Sequence, residues 1–385
     1  MELAIRNRSR AGRLTVRRTI LAVNAGSSSL KAALFDVAAP DGLQEIARSS
    51  SGSGDISVAA DRLLDWVEDH IGDCDLHAVG HRIVHGGPLF HDAVEIDEAV
   101  LFQLEALTPL APLHQPGGLA PIHRFRELRP DVLQFACFDT AFHRTIAPPA
   151  SQYALPQSMN SHGIRRYGFH GLSYESIAEQ LRAAGADMHG DRPSRIIVAH
   201  LGSGASLCAM LGLKSVDTTM GFSVLDGLVM GTRPGSLDPG ILLYLLKETG
   251  LSVGELEHML YRESGLLGLS GISGDVAVLL ASGAGEAADA LEVFAFQVAR
   301  HAAALAATLS GVDRIVFTGG IGEHAPAVVR MITQRLEWLG AVLDEQANEA
   351  SATLISAPSS SVILERRRTD EELVIARRVA KRFSP

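Results

Sequence analysis

The sequence predicts an α/β protein made of two similar halves. At 385 residues the chain exceeds one ordinary core, on a prior of roughly 100 to 200 residues per domain. A strand–turn–strand pattern with a polar glycine turn occurs twice, near residues 19–37 and 195–210. Further along each half, an apolar helical segment leads into a strand that ends in glycines, which is internal symmetry of long period. Two unrelated α/β domains that look alike by chance are the alternative explanation.

Each segment has its own reason. Arg6, Arg8, Arg10, Arg13, Arg17 and Arg18 stand against one acid, Glu2, so residues 1–18 read as a basic, disordered extension or an early start. An organelle transit peptide is the alternative, and the apolar stretch of a secretory signal is absent. Ile20 to Asn24 is β-rich, Ala25 to Ser29 is turn chemistry, and Leu30 to Val37 resumes an apolar pattern. The segment 60–73 reads as helix and 76–87 as a strand closing on Gly86-Gly87. Pro148, Pro149 and Pro156 mark a crossover between domains. Residues 195–210 repeat the hairpin around Leu201-Gly202-Ser203-Gly204-Ala205; 294–311 and 313–324 repeat the helix and the glycine-ended strand. Apolar residues at helical spacing make 370–383 a closing helix. The expected division is 19–148 plus 374–385 for the first domain and 149–373 for the second.

Composition removes several function classes. A formal net charge of -10 argues against a surface built for nucleic acid or anionic membrane, so an anionic ligand must be met locally. With 46% hydrophobic and 20% charged residues the chain is globular, and no apolar run suits a bilayer span. Cys74, Cys137 and Cys208 show no paired spacing, which suggests neither a disulfide framework nor a zinc site and fits a reducing, cytoplasmic setting.

The chemistry concentrates in glycine-rich turns. Asn24-Ala25-Gly26-Ser27-Ser28-Ser29-Leu30-Lys31 joins backbone N–H groups in a tight turn to three hydroxyls and one of only four lysines, a composition that suits phosphate. A solvent-facing serine hairpin is the alternative, and the P-loop spacing is absent. Gly319-Gly320-Ile321-Gly322-Glu323-His324-Ala325 fits GxGxxA from Gly320, the strongest feature of a dinucleotide alternative. Against it, the acid expected about 20 residues on is met only loosely by Asp344. Arg82 and Arg233 sit in glycine contexts, where planar guanidinium groups suit carboxylate or phosphate oxygens. Asp139 and His170 complete the polar set; any one of these four alone could be structural.

In order, NAGSSSLK, GHRIVHGG, LAPLHQP, FDTAFHRTI, YGFHGLS, VAHLGSGASL, DTTMGFSVLDGLVMGTRPGSLDPG and FTGGIGEH resemble the acetate kinase family, from about Ile20 to the C-terminus. The resemblance implies two duplicated RNase H-like domains of the actin, Hsp70 and sugar kinase type with an interdomain cleft, ATP as co-substrate, Mg²⁺ (or Mn²⁺) and a homodimer. It implies that Arg82 and Arg233 hold the carboxylate and the phosphoryl group, that Asp139 orients the reacting oxygens, and that His170 stabilises transition-state charge. Asn24, Ser27, Ser29 and Lys31 match one phosphate hairpin; His200, Gly202, Ser203 and Gly204 match the other. Asp275 and the Gly320, Ile321, Gly322 and Glu323 turn match nucleotide contacts. Val84, Leu113, Phe169 and Val224 match an apolar pocket for the acyl methyl, and Glu371, with Asn24, matches the Mg²⁺ position.

Departures from the family pattern lie mostly on the nucleotide side. Ser203, Ser236, His324 and Asp370 stand where the family has asparagine, aspartate, asparagine and asparagine. Ala277 replaces an arginine, Gln115 an asparagine and Val224 a proline. The expected activity is reversible phosphoryl transfer from ATP to acetate, with propionate preference, another donor such as pyrophosphate, or a non-catalytic nucleotide-binding protein as alternatives.

Overall fold

The computed structural model describes residues 18–26, 30–37, 42–51, 56–72 and 74–383. The expected N-terminal extension, Arg18 excepted, and the hairpin residues Ser27 and Ser29 lie outside the described residues. One sheet contains β1 (Arg18–Ala25), β2 (Leu30–Asp36), β3 (Gln44–Ser51), β4 (Asp75–Ile83), β5 (Val94–Glu95) and β6 (Leu133–Phe138), in the order β3-β2-β1-β4-β6-β5. A small hairpin of β7 (Met188–His189) and β8 (Arg192–Pro193) precedes the second sheet. That sheet contains β9 (Arg195–Leu201), β10 (Ala205–Leu211), β11 (Lys214–Thr218), β12 (Arg314–Thr318) and β13 (Ile363–Arg366), in the order β11-β10-β9-β12-β13.

The two sheets share one plan. In each, an antiparallel three-stranded meander is extended, from its first strand, by two parallel strands. The duplication read from the sequence is therefore present as topology. The same plan removes the dinucleotide alternative. The strand before Gly319 sits inside a mixed sheet, only β13 follows it, and Asp344 caps the short α12 (Glu345–Glu349) by accepting from the Ala347 N–H.

Helices cover both faces because the central strands are apolar on both. In the first sheet Leu21, Val23, Leu34 and Val79 pack against α1 (Ile56–Ile71), through Leu63, Leu64 and Val67, and against Phe125 of α3 (Gln115–Leu128). On the opposite face Ile20, Ala22 and Ala78 meet Val374, Ile375 and Val379 of α13 (Glu371–Ala380). The period of two along β1 thus feeds two separate clusters. Each fully buried aliphatic side chain contributes about 1.5–3 kcal/mol. Alongside α3 runs α2 (Glu98–Ala106).

The second sheet lies between α4 (Gly171–Ala183), which covers Ile196, Val198 and Val316, and α9 (Gly285–Leu309), which covers Ile197, Ala199, Ile315 and Phe317. Four short helices, α5 (Pro239–Glu248), α6 (Val253–His258), α7 (Gly265–Ser270) and α8 (Val276–Ala281), connect β11 to α9. Two more, α10 (Gly319–His324) and α11 (Pro326–Gln334), follow β12. α4 and α13 lie side by side, tied by Arg378 donating to Glu175 at 2.8 Å. The parallel strands of both sheets end in the turns that carry the candidate residues, the edge where open α/β sheets take their ligands. Among the described residues no helix is long and apolar enough to cross a membrane.

Candidate active site

Parallel register brings the first group together. Arg82 pairs with Cys137 across β4 and β6, so Asp139, just past β6, stands beside the Arg82 side chain. Arg82 donates to Asp139 from Nη2 at 2.7 Å and from Nε at 3.1 Å, a two-pronged ion pair. Its Nη1 donates to Asn24 Oδ1 at 3.1 Å, and Asn24 Nδ2 donates to Glu371 at 2.9 Å and Glu372 at 2.7 Å. Burial opposes charge on Arg82, but Asp139 and Glu371 hold its pKa above the ordinary value. Burial raises the Asp139 carboxyl, against the pull of Arg82. Burial also opposes charge on Glu371, yet Arg82, His200, Asn24 and Lys31 bring it below the usual range. Lys31, at the start of β2, is exposed and acts here through its field.

The second group comes from the other half. His170 is the residue before α4, in left-handed backbone with φ 57°, and Gly171 after it passes so close to the Asp139 carbonyl that a Cβ would overlap it. His170 Nδ1 lies 2.8 Å from Ser206 Oγ, which lies 2.5 Å from the Tyr174 hydroxyl. The rings of His170 and His200 stack at 4.4 Å, and His200 Nδ1 is 2.8 Å from Ser173 Oγ. Burial foremost, then repulsion between the His170 and His200 rings were both to take a proton, and the Arg82 and Arg233 charges hold His170 well below 6.5, while burial lowers His200 to about 4. Arg233 is buried, donates from Nη1 to the Val224 carbonyl at 2.8 Å, and is lowered by that burial to about 10, so it is charged at pH 7. Gly204, in the β9–β10 turn, separates these groups. A Cβ there would stand 2.8 Å from Arg233 Nη2 and 3.2 Å from His170 Nε2.

Beside Arg233 a cleft of about 640 Å³ opens between the halves. Of the expected nucleotide contacts, Gly202, Ser203, Asp275, Gly320 and Ile321 line it. Gly322 and Glu323 instead hold the turn: the Gly322 carbonyl accepts from Arg366 Nε at 3.2 Å, and Glu323 accepts from the Gly319 N–H at 3.0 Å. Val84, Phe169 and Val224 share one buried cluster, whereas Leu113 is 39% exposed and lines the cleft.

Residues that sequence reasoning missed complete the site. His114, inside the LAPLHQP segment, lines the cleft; its buried Nδ1 has no partner among the described residues, and burial with Arg233 and Arg82 nearby lowers it to about 3. Its signal was an uncommitted histidine in a proline-flanked loop. Glu372, 4% exposed, shares Asn24 with Glu371 and accepts from Arg48 at 2.6 Å. Arg48 also pairs with Asp370 at 3.0 Å, which gives that departure a physical reason: Asp370 caps α13 and faces a cation. Ser236 donates to Asp226 at 2.7 Å, and buried Gln115 donates to the Leu104 carbonyl at 3.1 Å. Ala277 and the exposed His324 sit on the cleft wall and rim.

A family model described as the Acetokinase family matches residues 44–377. The chain is 46% identical over 388 residues to an acetate kinase of Rhodopseudomonas palustris, spanning 94% of this chain and 97% of the relative. It is 44% identical to an acetate kinase of Rhizobium meliloti, over 93% and 96% of the two chains. Among solved structures, a propionate kinase from Francisella tularensis superposes with a TM-score of 0.84 at 36% identity, covering 94% of this chain and 98% of that one. An acetate kinase from Entamoeba histolytica superposes with a TM-score of 0.81 at 32% identity, over 94% and 99%.

Proposed function

The chain belongs to the acetokinase family, and from that premise we propose that it moves the γ-phosphoryl group of ATP to acetate, reversibly, giving ADP and acetyl phosphate. An acetate oxygen forms the new bond to phosphorus as the bond to the β,γ-bridging oxygen breaks, and ADP leaves with that oxygen. No covalent enzyme intermediate is required. The observation that carries the reading is that buried Arg233, on the cleft wall, faces a neutral His170 across the Gly204 gap, with the Arg82–Asp139 pair close enough for the Arg82 charge to act on His170.

The roles follow from charge. A loose phosphoryl transition state spreads charge over its equatorial oxygens and asks chiefly for positioning and electrostatics. Arg233 has no carboxylate partner among the described residues, so its charge is available to the transferring group. Arg82 is fixed by Asp139 and Asn24, and the N–H donors that those bonds leave free on Nη1 and Nη2 meet the substrate carboxylate. If the Tyr174 hydroxyl donates to Ser206 and Ser206 donates to His170 Nδ1, Nε2 keeps its hydrogen and faces the Gly204 gap as a neutral donor. Val84, Phe169 and Val224 take the acyl methyl.

Mg²⁺ fits the donor set: Glu371, kept ionised by its cationic neighbours, is the hard oxygen ligand such an ion takes alongside water and phosphate oxygens. Asn24 has its amide engaged with Arg82, Glu371 and Glu372, so Glu371 is the main protein donor. When bound, the ion offsets charge on the donor phosphates. The same reading divides the chain into 19–148 with 374–385, and 149–373, and places it in the cytoplasm. It also makes the chain a homodimer, supported by α5, an apolar helix with no buried residue whose Ile241, Leu243 and Tyr244 are exposed.

An acyl hydroxamate assay on purified protein tests the activity, crossing acetate, propionate and butyrate with ATP, GTP and pyrophosphate, each with Mg²⁺. The expected result is the highest kcat/KM with acetate and ATP. Stronger turnover of propionate would correct the acyl group, turnover with pyrophosphate alone would correct the donor, and nucleotide binding without turnover would sink the enzyme reading.

A further inference from the structure

The charges that line the cleft are not all accounted for by the roles above. Asp275 is committed to capping α8, accepting from the Ala277 N–H at 2.8 Å. His324 is exposed at the rim beside Glu323. Arg262, also on the lining, has no hydrogen bond or ion pair among the described residues. Glu263, next to it in sequence, is turned to His258 at 3.4 Å.

Arg262 is nevertheless held in place through its backbone. It lies in a π-helical turn, Met259–Glu263, of the kind that interrupts helices at functional sites. That turn is stitched to the segment carrying Arg233: Thr232 Oγ1 donates to the Tyr261 carbonyl at 2.8 Å, and the Ser264 N–H donates to the Thr232 carbonyl at 3.0 Å. The Arg262 charge is close enough to contribute, after burial, to the lowered pKa values of Arg233 and His114. Two guanidinium groups therefore share one wall with no carboxylate paired to either, next to a buried His114 Nδ1 that has no partner, among the described residues. In a chain of net charge -10 this is a local excess of positive charge. Like charges so placed repel in the empty protein, and a multiply charged anion relieves both.

We propose that Arg262 is a phosphate-binding residue of this cleft, pairing with oxyanions of a nucleotide polyphosphate or of an acyl phosphate. The proposal rests on the phosphotransferase reading and adds to it a cation that sits at the mouth, outside the Arg82 and Arg233 pair. A planar fork suits the task, because it presents two N–H groups to two phosphate oxygens at once.

Calorimetric titration of the full chain with Mg·ADP and Mg·ATP, alongside steady-state KM values for nucleotide, acetate and acetyl phosphate, tests it in Arg262→Ala and Arg262→Lys. Losing a charge-assisted hydrogen bond should weaken phosphate-ligand affinity roughly ten- to a hundredfold in the alanine variant, with Lys recovering part of it. Acetate KM and the melting temperature should stay at parent values. Weaker nucleotide binding identifies the polyphosphate as the anion, and a raised KM for acetyl phosphate alone identifies the acyl phosphate. Nucleotide affinity and acetyl phosphate KM both within twofold of parent in both variants would overturn the proposal. Because binding is read without turnover, a parent protein that binds nucleotide but does not phosphorylate acetate would fail the activity reading and leave this test standing.

Discussion

The space that the missing Cβ of Gly204 leaves is bounded by Arg233 Nη2 and His170 Nε2. Neither neighbour gives way cheaply: Arg233 is buried and bonded to Val224, and His170 is tied to Ser206. We expect Gly204→Ala to lower kcat by about a hundredfold or more, since displacements near 1 Å in such a site carry that cost. Melting should change by only a few degrees. Hydroxamate rates and a thermal scan check this; near-parent kcat would mean that the gap is not where the reacting group sits. Arg82, His170 and Arg233 were legible as polar residues in glycine contexts, with Asp139 in Cys137-Phe138-Asp139-Thr140 completing the set. Arg48 and Glu372 were not, because they meet only when β3 and the start of α13, more than 300 residues apart, come together. A residue pattern read along the chain cannot register that partnership.

At the scale of elements, the strongly periodic segments were the readable ones. The closing helix expected at 370–383 forms at Glu371–Ala380, where Asp370 accepts from the Leu373 N–H at the start and apolar residues recur toward the first sheet. The four short helices between β11 and α9 offer too few turns for a periodic signal to mark them in the sequence. Of these, α5 has an apolar composition and, among the described residues, no fully buried side chain. We expect Leu243→Glu together with Tyr244→Glu to convert a two-subunit species into a monomer in sedimentation velocity, while far-ultraviolet circular dichroism stays unchanged. A monomeric parent chain would remove the homodimer from the proposed function.

For the whole molecule, buried imidazoles set a pH window. In the folded protein burial lowers His81, His143 and His200 to about 4 and His114 to about 3, against roughly 6.5 in an unfolded chain. Between those values the unfolded chain binds protons that the folded protein refuses, so stability is complete above about pH 6.5 and declines as pH falls toward 4. Each such group contributes at most about 1.4 kcal/mol per pH unit in that range. Melting temperatures should therefore drop progressively from pH 7 to 4.5; a flat profile would mean that these rings accept protons without unfolding.

The two-fold plan of the chain was determined by the sequence alone, because each hairpin, apolar helix and glycine-ended strand depends on neighbours a few residues away. Turn chemistry and side-chain period are local properties. Which groups meet was decided by tertiary structure. Parallel pairing of β4 with β6 sets Arg82 against Asp139, and α4 lying on α13 faces the two halves across one cleft. The same packing left Leu113 half exposed, turned Glu323 onto its own loop and gave Asp370 a cation to face. Those outcomes depend on contacts between segments far apart in the chain, where close packing and the pairing of buried charge, rather than local propensity, choose the partner.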